Sequence, residues 1–358
     1  MPLVSLELHN FRIYESAQLD PNPYLNLIFG ANASGKTSLL EAINLLGTGR
    51  SFRTTHTEQL RRTNNPNLSV FGKLQKDGGE STRLGFVFGD DGRRVSMNGL
   101  EQKHVSSLAS QLPLQVISPD THYEFQQSAK HRRAILDWGL FHVEPDFRAL
   151  WGRYQRTLNQ RNAALRDDSQ HKARHIWDDE LIETGEKLHS ARSRVTEQLL
   201  PHFLACCQLL FGKQLPVDLH LKSGWEGDRG FGESLRRDHI RDLTRRFTHS
   251  GPQRADLQIH LNNQLSRQIA SHGQYKMLII SLRVAQIRYL LEVKNTECCL
   301  LIDDLAAELD SVHRVRLTNL LASLPVQVFI TATESSLIDR KSWPNYKTFH
   351  VEQGTVTS

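Results

Sequence analysis

The 358-residue chain is 39% hydrophobic and 23% charged, with a formal net charge of +5. No apolar run approaches the roughly 20 residues of a membrane span, and Met1 to Ser5 lack the regions of a secretory leader, so a cytoplasmic protein with no membrane partner is expected. The positive balance suits a polyanionic partner, and arginine, whose planar fork matches phosphate geometry, outnumbers lysine by more than two to one.

Taken in order, Leu3 to Leu8 alternate as a half-buried strand does, with Leu3, Ser5 and Glu7 opposite Val4, Leu6 and Leu8. Asn10 to Tyr14 follow, then a turn at Pro21-Asn22-Pro23. The apolar run Leu25, Leu27, Ile28, Phe29 predicts a strand, and Leu39 to Leu46 a helix closed at Gly47. From Leu68 to Asn98 short apolar runs separated by Asp77-Gly78-Gly79 and Asp90-Asp91-Gly92 predict a small antiparallel sheet inserted after that helix. Leu114 to Ile117 reads as another strand, stopped by Ser118-Pro119-Asp120. From about Glu124 to Arg246 the periodicity is helical, with recurring aromatics such as Trp138, Phe147, Trp151 and Tyr154, which predicts an inserted helical lobe. Leu257 to Leu261 predicts a strand, and Met277 to about Leu291 an apolar helix opened by a polar stretch from Ser271. Cys298 to Ile302 predicts a buried strand ending in Asp303-Asp304. A helix to Leu321, a strand from Val326 to Thr331 and a hairpin near Gln353-Gly354 complete the chain. The adjacent pairs Cys206-Cys207 and Cys298-Cys299 lack metal-ligand spacing and read as buried thiols.

The informative stretch is Gly30, Ala31, Asn32, Ala33, Ser34, Gly35, Lys36, Thr37, followed by Ser38. Strand, glycine loop and helix in that order give the G-x-x-x-x-G-K-[ST] pattern its meaning. Backbone N–H groups turn inward around a phosphate, the helix adds its positive end, Lys36 reaches the outer phosphates and the Thr37 hydroxyl ligates Mg²⁺. The chain is therefore expected to bind a nucleoside triphosphate, ATP with Mg²⁺. Asp303, ending an apolar strand, is the expected second support of the metal, and Asp304 is placed to orient or deprotonate an attacking water. Ser271, Gly273 and Gln274, before a long helix, suit a γ-phosphate; a simple helix start is the alternative.

The order of phosphate loop, long insertion, Ser-x-Gly-Gln, Asp-Asp strand and Glu308-Leu309-Asp310 resembles the ABC-type ATPase head shared with SMC-like proteins. More specifically, the chain resembles the RecF family of bacterial replication and recombinational-repair ATPases, nearly end to end. The residues that carry this are Leu8 with Asn10-Phe11-Arg12 and Tyr14, the phosphate loop, Gly49 to Thr54, Asn98-Gly99 and Pro119-Asp120. They continue with Arg132-Arg133, Leu136-Asp137, Ser250 to Arg254, the serine motif, Leu301 to Asp304, and Val328 to Thr333. The resemblance implies an α/β ABC-type head of mixed and antiparallel sheets, with 1–120 and 249–358 forming the head and 121–248 the helical lobe. It implies that Arg12 and Thr333 serve the nucleotide, that Ser271 acts in trans across an ATP-dependent homodimer, and that RecO and RecR are partners. A weak DNA-stimulated ATPase, acting at gaps and stalled forks in RecA loading, SOS induction and replication recovery, is the implied role. The family's Gly-Pro-His-Arg-Asp-Asp stands here as Gly251-Pro252-Gln253-Arg254-Ala255-Asp256, a departure at Gln253 and Ala255.

The absence of sustained heptads between Lys36 and Asp303 excludes a long coiled-coil arm. Arg237, Arg241 and Arg245 at i, i+4, i+8 are expected on one helix face; Lys130, Arg132 and Arg133 form a second basic cluster, and Arg61-Arg62 a third. Each also fits a solvated charged face; together they favour phosphate contact with duplex DNA or a single/double-strand junction, without sequence specificity. Two rival readings stay open: a P-loop phosphotransferase, and a nucleotide-sensing module with incidental hydrolysis.

Overall fold

The computed structural model describes residues 2–75, 79–167, 176–226 and 229–358, the side chains of 307 and 308 excepted. The turn predicted at Asp77-Gly78 lies outside the described residues. The strands are β1 (Leu3–Phe11), β2 (Tyr14–Leu19), β3 (Leu25–Phe29), β4 (Leu68–Gln75), β5 (Ser81–Gly89), β6 (Gly92–Met97), β7 (Leu100–Glu101) and β8 (Leu114–Ile117). They continue with β9 (Val217–Lys222), β10 (Asp256–Leu261), β11 (Gln264–Leu265), β12 (Cys298–Ile302), β13 (Val326–Ala332), β14 (Tyr346–Glu352) and β15 (Thr355–Thr357). The helices are α1 (Lys36–Thr48), α2 (Ser106–Ala109), α3 (Thr121–Gln127), α4 (Ala129–Val143), α5 (Phe147–Arg166) and α6 (Asp178–Phe211). They continue with α7 (Phe231–Arg237), α8 (His239–Arg245), α9 (Ser266–Ile269), α10 (His272–Lys294), α11 (Leu305–Glu308) and α12 (Ser311–Ala322). No described helix is long and apolar enough to cross a membrane.

The chain divides into two compact units, one of residues 1–121, 209–212 and 294–358, the other of 122–208 and 213–293. In the first, a six-stranded sheet in the order β15-β14-β3-β13-β12-β8 has β14, β3, β13, β12 and β8 parallel, so their C-terminal ends share one edge. A second sheet, β2-β1-β4-β5-β6-β7, is antiparallel throughout. The antiparallel sheet is thus not only an insertion: the N-terminal hairpin β1–β2 completes it. α1 buries Leu39, Leu40, Ala42, Ile43, Leu45 and Leu46 in one core with side chains of both sheets, which is why its sequence is apolar nearly all round. One detail departs from the alternation. The register of β1 with β4 shifts between Leu3 and Ser5, and that irregularity lets Leu3 join Leu6 and Leu8 in the core.

The second unit holds α3 to α10 and a three-stranded sheet, β11-β10-β9. Here the stretch expected to be helical contains a strand, β9, antiparallel to β10. Its period-two pattern is visible in Val217, Leu219 and Leu221 against Asp218, His220 and Lys222. Because β9 needs β10 as its partner, this unit extends to Val293 rather than ending at residue 248. The helical aromatics pack unevenly: Phe147 and Tyr154 are buried, whereas Trp151 is 42% exposed.

His142, on the last turn of α4, sits against Trp138 and Phe141 with ring centroids 4.7 Å and 4.9 Å away. Burial pushes its imidazole down to about 4 from the ordinary 6.5. The unfolded chain therefore binds a proton at a pH where the folded chain resists it, so the stability His142 contributes is complete above 6.5 and lost as pH falls toward 4. The expected cost at pH 5 is about 2 kcal/mol. Urea unfolding of wild type and His142→Phe at pH 7 and pH 5 checks this, the variant being expected to lose less; parallel losses would refute it.

Candidate functional site: the phosphate loop and its acidic partner

Residues 30–35 leave the end of β3 and enter α1 at Lys36. The turn depends on glycine at both ends. Gly30 has φ +153°, and a Cβ there would stand 2.2 Å from the Val351 carbonyl oxygen; Gly35 has φ +118° and faces the Tyr14 hydroxyl. The Tyr14 hydroxyl donates to Gly35 O (3.0 Å), and Gly354 N–H donates to Ser34 O (3.2 Å). The β1–β2 turn and the C-terminal hairpin therefore clamp the loop. Lys36 Nζ donates to Gly30 O (2.8 Å) and Ala31 O (2.7 Å), and burial pulls its ammonium below the ordinary value against the opposing pull of Asp304 and Asp303.

β13 lies between β3 and β12, so Asp303 ends one strand away from the loop. Thr37 Oγ1 donates to Asp303, 2.9 Å from Oδ1 and 3.0 Å from Oδ2. Thr331, at the end of β13, donates its hydroxyl to Asp303 Oδ1 (2.7 Å) and accepts from the Asp304 N–H (2.7 Å). Burial pushes the Asp303 carboxyl up, opposed by these hydroxyls. Asp304 adopts a left-handed conformation (φ 50°), and among the described residues its carboxylate has no hydrogen-bond or ion-pair partner. Thr331 is thus engaged with Asp303, while Thr333 is exposed beyond the strand end.

These residues fit a polyphosphate with a divalent cation. The buried Ser34 hydroxyl has no hydrogen-bond partner, Ala31, Asn32 and Ala33 are exposed along the turn, and Ser38 packs inside α1. Lys36 supplies a cation, and Thr37 with Asp303 supplies hydroxyl and carboxylate oxygens of the kind a hard cation takes.

Arg12 is anchored to α1 and to the Gln59 carbonyl. In a left-handed conformation (φ 54°), it donates Nε and one terminal nitrogen to the two carboxylate oxygens of Glu41 (2.7 Å each) and its other terminal nitrogen to Gln59 O (2.9 Å). Three of its five N–H donors are used, which orients the guanidinium and leaves one N–H on each terminal nitrogen. Glu41 is fully buried and also accepts from the Ser51 hydroxyl, with Arg53 at 4.0 Å. This joins the Asn10–Arg12 and Gly49–Thr54 segments to α1. The missed signal was a single carboxylate among Leu39, Leu40, Ala42 and Ile43, which a buried helix tolerates only with a partner.

In the second unit, α10 starts at His272, five residues before the expected Met277, and Ser271 caps it. Gln274 N–H donates to Ser271 Oγ (3.3 Å) and Ser271 N–H to Gln274 Oε1 (3.0 Å), a reciprocal capping box. Ser271 thus caps the helix, and Ser271, His272, Gly273 and Gln274 are all exposed.

The three basic clusters differ in availability. Arg132 is buried, donating to Asp256 (2.6 Å) and to the carbonyls of Phe125 and Gln126, and Arg133 donates to Ala255 O (2.6 Å). They fasten α4 to the Gly251–Asp256 segment, and Lys130 alone of that group is exposed. Arg61 donates to Pro66 O (2.8 Å) and lies over Phe88, and Arg62 pairs with Glu15 at 3.3 Å. Arg237, Arg241 and Arg245 are exposed, but not on one helix: the chain breaks at Asp238 between α7 and α8. They nonetheless line a single hollow with Arg254. Gln253 accepts from the Tyr154 hydroxyl and donates to Thr248 O and Ser250 O, so its departure from the family pattern is built into this packing.

The profile of the RecF/RecN/SMC N-terminal domain matches residues 2–357. The DNA replication and repair protein RecF of Thioalkalivibrio sulfidiphilus is 39% identical over 99% of both chains. A solved structure of the recombination mediator protein RecF with ATPrS superposes with a TM-score of 0.86 at 24% identity, covering 99% of this chain and 97% of the other. The Smc head domain of Pyrococcus furiosus shares the fold at a TM-score of 0.60 and 15% identity, with 99% and 95% covered. Mixed and antiparallel sheets around a phosphate-loop helix are the α/β ABC-type ATPase head. With a glycine loop, a threonine–aspartate pair and matches that span nearly its whole length, this chain belongs to the RecF/RecN/SMC N-terminal domain family and, within it, to RecF.

Proposed function

We propose that the chain is an ATP-driven DNA-binding protein of replication and recombinational repair, working in the cytoplasm as an ATP-gated dimer. The observation that carries the nucleotide part is the Thr37–Asp303 contact, made across 266 positions of sequence beside the Lys36 loop. Lys36 holds the outer phosphates, Thr37 and Asp303 hold Mg²⁺, and Asp304 holds the proton of the attacking water. Mg²⁺ when bound neutralises charge on the terminal phosphates. Ser271 and Gly273, exposed at the start of α10, complete the site of a second copy. Weak turnover stimulated by DNA then serves as a timer that reopens the dimer. Similarity to RecF proteins supports action at gaps and stalled forks, RecA loading with RecO and RecR, and through these SOS induction and replication recovery.

The test is mass in solution with ATP and Mg²⁺, using Asp304→Asn to slow hydrolysis. ATP is expected to double the mass of that variant, and adding Lys36→Ala or Ser271→Ala is expected to return it to monomer. A mass that stays monomeric at saturating ATP, with and without DNA, would sink the dimer and the trans role of Ser271.

A further inference from the structure

We propose that the arginine-lined hollow of the second unit binds an unpaired nucleotide of a DNA strand. Arg241 and Arg245 hold its phosphodiesters, and its base lies against a flat stack of Phe247, His249 and the Arg254 guanidinium. The assignment rests on the DNA reading above and names the form of DNA and the residues.

The hollow is about 670 Å³ and is lined by Gly224 to Glu226, by the ends of α7 and α8, and by the segment after α8. Its charges are unbalanced. Arg237 is paired with Glu226, and Asp238 accepts from the Ser250 hydroxyl (2.5 Å). Arg241 and Arg245, exposed at i and i+4, have no partner among the described residues and repel each other until an anion arrives. Beside them the Phe247 ring stacks with His249 (centroids 4.1 Å apart, 27° between planes) and carries the Arg254 guanidinium at 5.3 Å. Planar cation and aromatic rings together are what an unstacked base uses. An acidic peptide would match the charge but has no use for the flat stack.

The floor is held before any ligand arrives. Asp242 accepts from His249 N–H (2.9 Å), Arg161 donates to the Thr248 hydroxyl (2.7 Å), and Gln253 donates to Ser250 O (3.1 Å). Folding brings Phe247 and His249 alongside arginines up to twelve positions away.

Fluorescence anisotropy of the full chain tests this with a short oligo(dT), an abasic strand of the same length and an oligoglutamate peptide. Arg241→Ala/Arg245→Ala is expected to weaken oligo(dT) binding about tenfold or more and to lower the slope of log K against log salt by about 1.4. Arg254→Lys keeps the charge but loses the plane, so oligo(dT) is expected to weaken about fivefold while the abasic strand is unchanged. Wild type that binds no DNA in any nucleotide state overturns the DNA reading itself. Wild type that binds DNA with both variants unchanged overturns the hollow alone. Oligoglutamate that binds as tightly as oligo(dT) and is lost equally in the double variant assigns the hollow to an acidic protein instead.

Discussion

Lys36→Ala is expected to weaken ATP binding by two or more orders of magnitude and to abolish turnover. The ammonium makes two hydrogen bonds within the loop, to Gly30 O and Ala31 O, and it is the one charge the loop itself carries. Those carbonyls can find water when it goes, so the fold survives; a triphosphate cannot replace its cation. At about 1.5–3 kcal/mol for each hydrogen bond to a charged group, losing two contacts to the outer phosphates costs about 3–6 kcal/mol of binding. Partial burial draws the ammonium below its ordinary value, with Asp304 and Asp303 opposing. Thermal unfolding with and without ATP and Mg²⁺ checks this. Wild type is expected to gain stability with ligand concentration and the variant to gain none, at equal ligand-free stability. A variant with an undiminished ligand shift would mean that Lys36 does not contact the nucleotide.

Arg161→Met should be the most destabilising single change in the second unit. The guanidinium is 1% exposed and donates to Asp178 (2.8 Å), Asp242 (2.8 Å) and the Thr248 hydroxyl (2.7 Å), and Asp242 is itself fully buried. Methionine fills much of the volume but leaves the Asp242 carboxylate without its cation, a change that costs about 3–5 kcal/mol when one partner of a buried pair is removed. Arg161→Met/Asp242→Leu is expected to recover a large part of that loss, since the uncompensated charge rather than the missing contact carries the cost. Urea unfolding of the two variants decides it: equal losses would mean that Arg161 acts by packing alone. Because Asp242 and Thr248 also position the hollow, the single variant is expected to weaken oligo(dT) binding as well.

The sequence by itself determined the elements whose reasons are local. A glycine at each end of the phosphate loop, Lys36 and Thr37 at a helix start, and a wholly apolar strand stopped by Asp303 each follow from backbone sterics, from a helix's positive end, or from the need to bury both faces of a parallel strand. The serine motif was legible as a helix start for the same reason, its capping box being a three-residue affair. The β9 alternation was legible too, and only its setting among helical segments hid it. What the tertiary structure alone decided concerns partners far apart in the chain. Arg12 reads as an unpaired cation until Glu41 appears beside it, and Arg132 reads as a surface cation until Asp256 does. Arg237, Arg241 and Arg245 line one hollow with Arg254 although Asp238 breaks the helix predicted to align the first three. A charge pattern fixes how many cations a chain carries. Which of them are spent on buried carboxylates, and which remain for a ligand, is settled only when folding brings the acids to them.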